Sequence, residues 1–250
     1  MIPRYEVVGV AGIPEVRPGD DLSRLIVESA GRQGTPLRGG DLIVVGQKVV
    51  SKAEGRLVRL ADVHPSPAAA TMATQLGRDP RLVEVIFRES RRIVRMDRGV
   101  LIAETHHGWV CANAGVDQSN VERDSVALLP EDPDRSARRL REGIRERAAV
   151  DVGVIIADTF GRPWREGLTN VAIGVSGMAP LRSYLGYKDE AGRELQATIL
   201  AVADEIAGAA ELVMGKLDRV PVAIVRGLTV APSEEGSKPL LRDPARDLFR

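Results

Sequence analysis

The chain has 250 residues, with 35 Lys and Arg balanced by 35 Asp and Glu, and a single cysteine. Zero net charge leaves no global field to draw nucleic acid or a membrane surface, and one cysteine excludes an internal disulfide framework. The length suits one large domain or two small ones, with room for an ordinary core. The N-terminus, MIPRYEVV, lacks the basic-then-apolar pattern of a signal peptide, and no apolar run reaches the length of a membrane span. These features predict a cytoplasmic protein. Basic residues are mostly arginine: the lysines are Lys48, Lys52, Lys188, Lys216 and Lys238. Asparagine is scarcer still, at Asn113, Asn120 and Asn170.

In chain order, Tyr5 to Val10 reads as a strand running into the turn Ala11-Gly12-Ile13-Pro14. Asp20 or Asp21 is a fair cap for a helix with Leu22, Leu25, Ile26 and Ser29 on one face. Asp41 to Val50 predicts a strand, which places Lys52 just beyond its end, either reaching phosphate in a cleft or solvated in a turn. Ala61 to Pro67 is a loop, and Ala68–Leu76 and Arg81–Arg92 predict two short helices. Val100 to Ala112 predicts a hairpin with His106 and His107 at its tip and Cys111 as a small buried thiol. The histidine pair has no further ligand at metal-binding spacing.

Asn113 to Asn120, NAGVDQSN, then forms a polar loop with one carboxylate, Asp117. Asp134 or Ser136 is expected to cap a helix bearing Ala137, Leu140, Ile144 and Ala148, its other face solvated by Arg and Glu. Val154 to Ala157 predicts a buried strand that turns polar at Asp158-Thr159, followed by Arg162 and Arg165. Tyr184 to Arg193 is a loop, and Glu194–Met214 predicts the longest helix, interrupted by Asp204 and Glu205 as solvated or paired carboxylates. Gly215 to Val220 is a loop, Pro221–Val225 a last strand, and the segment from Ala231 has no core periodicity.

The chemistry is concentrated in two polar strand ends, each with one aspartate, Asp117 and Asp158. Two carboxylates can hold magnesium or manganese, with Lys52, Arg162 and Arg165 as further cations. Closing a cleft over phosphates requires such charge: unit charges at 4 Å interact by ~1 kcal/mol in water but ~4 kcal/mol at an effective dielectric of 20. Neither G-x-x-x-x-G-K-[ST] nor G-x-G-x-x-G is present, which excludes the P-loop and Rossmann nucleotide sites. The residues alone define a metal-dependent enzyme acting on a phosphate compound. A non-catalytic binder of a nucleotide or other anion is the alternative.

Six segments in order resemble the coenzyme F420-0:γ-glutamyl ligases. They are Gly12 to Leu22, Val49-Val50-Ser51-Lys52-Ala53-Glu54-Gly55-Arg56, Asn113 to Asn120, Ile155 to Gly167, Val202 to Ala207 and Val222 to Leu228. The resemblance implies a GTP-dependent amide-bond-forming ligase that adds L-glutamate to F420-0 through an acyl phosphate. It further implies Mg2+ or Mn2+, stimulation by K+, and an α+β fold of two subdomains in an intertwined homodimer. By position, Asp117 and Asp158 resemble ligands of one metal, with Thr159 on a second. Ala11, Gly12, Ile13, Pro14, Gln47, Lys48, Lys52 and Asn120 resemble nucleotide contacts, as does the loop Met214, Gly215, Lys216, Leu217, Asp218, Arg219 and Val220. Related ligases often carry a carboxylate two residues after that methionine. Here it is Lys216, so Asp218 or water would serve the second metal, or the lysine would take over part of its charge. The resemblance implies a ligase module over residues 1–230 and a tail or linker over 231–250. The chain is then a stand-alone enzyme or the front half of a fusion to a flavin-binding domain, the latter with a dehydro form of F420-0 as acceptor.

Overall fold

The computed structural model describes residues 2–247. Met1 and, within the expected tail, Leu248, Phe249 and Arg250 lie outside the described residues. The fold mixes helices with several sheets. Glu6–Gly9 (β1) leads to Leu22–Arg32 (α1), capped by Asp21, whose carboxylate accepts the Arg24 amide. Leu42–Gly46 (β2) stops five residues into the expected strand, and Gln47–Ala53 (α2) is helical instead. Val49 and Val50 resume the apolar pattern after Gly46-Gln47-Lys48, so periodicity alone did not mark the junction. Leu57–Arg59 (β3), Pro67–Leu76 (α3) and Pro80–Arg88 (α4) follow. Ser90–Asp97 (β4), expected as the end of a helix and unassigned sequence, pairs instead with Val100–Thr105 (β5), which pairs with Val110–Ala112 (β6).

Ser125–Ala127 (β7) pairs with β3. Pro133–Ala148 (α5) is capped by Asp132, two residues before Asp134 and four before Ser136, the caps expected. Asp134 is used otherwise: its Oδ1 accepts the amides of Val175 and Ser237, each at 2.8 Å. Gly153–Arg162 (β8) runs straight through Asp158 and turns at Pro163-Trp164 into Arg165–Ser176 (β9). The expected strand end at Asp158 is therefore corrected: it lies inside a long hairpin. Arg182–Ser183 (β10) and Ile199–Leu200 (β11) form a small pair. Val202–Met214 (α6) begins eight residues later than its expected start, so Leu195 and Ile199 lie outside it. Val222–Arg226 (β12) completes the chain of strands.

The main sheet has the order β1-β12-β2-β8-β9, antiparallel except for the parallel pair β2 and β8. Its side chains alternate between two cores, as a sheet buried on both faces requires. Ile43, Val45, Val154, Ile156 and Ile224 pack under α1 and α5. Leu42, Val44, Ile155, Ala157 and Val225 pack under α6 with Ala203, Ala207 and Ala210. The alanines let α6 lie close to the sheet. A third core, with Leu60, Ile86, Leu101, Val116 and Val126, joins α4 to the smaller sheets. After Ala231, whose carbonyl accepts the Ala179 amide at 2.7 Å, the chain crosses back over the body. There Ser237 Oγ donates to the Ile173 carbonyl at 3.0 Å.

Candidate active site

Strands β2 and β8 run in parallel, so their carboxyl ends open toward the same edge of the sheet. Open α/β sheets bind ligands outside such ends. The last β2 partner of β8 is Ala157, opposite Gly46. Asp158 is the next residue, where β8 and β9 leave the sheet as a two-stranded ribbon. Alternation then sends Asp158 toward the α1–α5 side and Thr159 toward the α6 side.

Asp117 is brought to this edge by the smaller sheets. Asn113, Ala114 and Gly115 all take positive φ, at 54°, 53° and 74°. Such backbone persists where surrounding contacts over-determine it. Here Arg78 Nη1 donates to Asn113 Oδ1 at 2.6 Å, and a Cβ on Gly115 would meet Leu129 Cγ at 2.6 Å. Asp117 and Ala127 then exchange both backbone bonds, at 3.0 and 2.8 Å. The Asp117 carboxylate accepts the Ser119 amide at 2.7 Å and Lys48 Nζ at 2.8 Å. Burial works to raise its pKa, but Lys48 and Ser119 outweigh it and hold the carboxyl below its ordinary value.

Asp158 is partly buried and accepts the Thr159 amide at 2.8 Å. Burial, helped by the negative charge of Asp117, pushes its pKa up to about 6, against the pull of Lys48 and Lys216. The two carboxylates thus lie near enough for the charge of Asp117 to act against ionisation of Asp158. Among the described residues no group of three or more His, Cys, Asp or Glu is placed to hold a metal ion. Two hard carboxylates that repel each other suit a magnesium-like ion that takes its remaining ligands from phosphate and water.

On the α6 side, Thr159 Oγ1 donates to Asn170 Oδ1 at 2.7 Å and accepts from Lys216 Nζ at 2.5 Å. Thr159 is therefore engaged by an ammonium group. Lys52 sits on α2, with its side chain 11% exposed, and donates to Glu15 Oε1 at 2.5 Å. Glu15 also lies 3.9 Å from Arg219. One carboxylate thus ties together the Ala11–Pro14 turn, α2 and the loop after Met214. The turn is held further by Gln33, which accepts the Ala11 amide at 2.8 Å. In that loop Gly215 has φ 58°, and a Cβ there would strike Asp218 Oδ2 at 2.2 Å. Leu217 is exposed, and Asn120 stands exposed with φ 55°.

Two expected contacts are placed differently. Gln47 is 3% exposed and accepts from Ser51 Oγ at 2.9 Å, so its side chain faces the core. Arg162 and Arg165 face each other at the far end of the ribbon, roughly 13 Å along the strand from Asp158. The histidines bond to carbonyls, His106 to that of Arg88 and His107 to those of Pro130 and Glu131. Cys111 is buried, and burial followed by the charge of Asp158 pushes its thiol up to about 12. It is expected to resist iodoacetamide at pH 8 in the native protein and to react fully in guanidinium, as mass spectrometry of the alkylated chain would show.

Glu15 and Glu211 went unnoticed in the sequence. The Thr159–Asn170 pair depends on cross-strand register, and Glu211 reaches Asn170 only because α6 lies on that face. The spacing of polar residues in a single chain carries neither fact.

The site sets two acidic side chains, Asp117 and Asp158, within reach of the charges of Lys48 and Lys216. Residues 11–227 match the family model described as F420-0:γ-glutamyl ligase. A Methanopyrus kandleri protein named coenzyme F420:L-glutamate ligase is 52% identical over 94% of this chain and 94% of its own length. Proteins of the same name from Methanothermobacter thermautotrophicus and Methanocaldococcus jannaschii are 45% and 40% identical. They cover 98% and 99% of this chain and 98% and 97% of their own lengths. The chain belongs to the F420-0:γ-glutamyl ligase family. No helix among the described residues is long and apolar enough to cross a membrane.

Proposed function

We propose that the chain is a GTP-dependent ligase that joins L-glutamate to coenzyme F420-0, or to its dehydro form, and extends the product through γ-glutamyl amides. The observation that supports this reading is that Asp117, paired with Lys48 at 2.8 Å, lies near enough to Asp158 for the charges of both to act on it. It occurs in a chain whose relatives are named coenzyme F420:L-glutamate ligase. The acceptor carboxylate attacks the γ-phosphorus of GTP, forming an acyl phosphate and releasing GDP. The glutamate amine then attacks the acyl carbon, the amide forms, and phosphate leaves.

Asp117 and Asp158 would hold Mg2+ or Mn2+, which when bound offsets charge on the phosphates. The K+ implied by the family has no residues assigned to it. Lys48 keeps Asp117 ionised and in place. Lys52 and Arg219 would supply positive charge to the phosphates, and both are linked through Glu15. The Ala11–Pro14 turn, Asn120 and the Met214–Val220 loop surround the nucleotide, with Gln47 contributing through its backbone.

Separate cores under the main sheet and the smaller sheets support two subdomains within a 1–230 module. Exposed Trp164 and Leu168 on the ribbon support a homodimer. The reading places the enzyme in the cytoplasm.

Lys52→Ala is expected to weaken GTP binding about tenfold, roughly 1.4 kcal/mol, by removing one enclosed charge. Calorimetric titration with a non-hydrolysable GTP analogue checks this, and unchanged affinity would remove Lys52 from the phosphate path. The reading as a whole is tested by mass spectrometry of F420-0 incubated with protein, GTP, Mn2+ and glutamate. One or more added glutamyl residues, with GDP, are expected. GTP binding without product would favour the non-catalytic binder.

A further inference from the structure

The α6 side of β8 carries a closed polar network of four side chains from four segments. Lys216 Nζ donates to Thr159 Oγ1 at 2.5 Å and lies 3.1 Å from Glu211 Oε1. Thr159 Oγ1 donates to Asn170 Oδ1 at 2.7 Å, and Asn170 Nδ2 donates to Glu211 Oε2 at 2.8 Å. The family resemblance would put a second divalent cation on Thr159. That hydroxyl already accepts from a cation, and the nearby carboxylate is shared between the same cation and Asn170.

The backbone makes this arrangement repeatable. Gly215, at φ 58°, ends α6 and turns the chain so that Lys216 folds back over the helix end onto Glu211. Lys216 Nζ donates to the hydroxyl of the residue next to Asp158, so its charge acts on the cleft that holds both aspartates. An ammonium carries three donors and no acceptor, so it can supply charge here but cannot ligate a metal.

We propose that Lys216 is the resident cation of this position, so that each protomer holds one divalent ion, at Asp117 and Asp158, and not two. The inference rests on the metal reading of those aspartates given above. It assigns a positioning and charge-supplying role to a lysine that stands where related ligases often carry a carboxylate. A second divalent ion would have to displace the ammonium from both oxygens.

The test counts Mn2+ bound per protomer, from electron paramagnetic resonance of the free ion, with and without a β,γ-imido analogue of GTP. Wild type is expected to bind one ion, Asp158→Asn none, and Lys216→Arg one. Lys216→Glu removes the ammonium and adds a carboxylate, and is expected to bind two. Two ions in wild type, or one in Lys216→Glu, would overturn the inference while leaving the Asp117–Asp158 reading intact. No ion in wild type, or an ion retained in Asp158→Asn, would overturn that reading and this inference with it. The Lys216 side chain is 60% exposed, so its variants should melt as wild type does, which separates metal count from misfolding.

Discussion

Asp158→Asn is expected to lower GTP-dependent glutamylation by at least ~10³-fold, the upper range for losing one preorganised charge-stabilising group. Asp158→Ala should behave alike. The fold should survive, because the carboxylate costs stability in the metal-free protein. Its pKa is raised from 3.8 to about 6, so ionisation is less favourable folded than unfolded. That penalty, about 3 kcal/mol at 1.36 kcal/mol per unit, is fully present above pH 6 and absent below pH 3.8. The Asn variant should therefore melt above metal-free wild type at pH 7. The gap should close as pH falls from 6 toward 4. Scanning calorimetry across that range checks the sign, and an Asn variant that melts lower at pH 7 would contradict the buried-charge argument.

Arg226→Met is expected to destabilise the main sheet strongly. Asp41, 1% exposed at the start of β2, accepts from Arg226 Nε and Nη2, each at 2.7 Å. The Arg38 amide adds a third bond at 2.8 Å. Removing the guanidinium strands a buried carboxylate, at a cost of about 3–5 kcal/mol. For a chain of this size that is a fall of roughly 10 °C in Tm. Replacing both partners, Asp41→Asn with Arg226→Met, should recover part of the loss, and a double variant no better than the single would contradict the stranded-charge account.

The parts legible in the sequence were those set by local chemistry. Asp21 caps α1, the Val100–Ala112 hairpin forms, and Cys111 is buried, each following from residues close in the chain. The misplacements came where tertiary contacts overrode local pattern. Val49 and Val50 looked like strand, yet α2 turns them onto the α1–α5 core. The expected helix ran on to Arg92, but pairing with β5 makes Ser90 to Asp97 a strand. Leu195 and Ile199 kept the helical step of α6 without belonging to it. At the site, the sequence singled out Asp117, Asp158 and Thr159. It could not show that Thr159 and Asp158 point to opposite faces, because Asp158 was placed at a strand end and not within a hairpin. Glu15 lay unremarked beside the Gly12 turn, since its partners Lys52 and Arg219 are distant in the chain.

Asp117 and Asp158 together would grip the ion that quiets a nucleotide's phosphates. A crystal grown with Mn2+ and the β,γ-imido analogue of GTP, measured at the manganese absorption edge, tests it most directly. The account predicts an anomalous peak between the two carboxylates and in contact with phosphate oxygens. A peak elsewhere, or phosphates bound at another face with the aspartates empty, would contradict it.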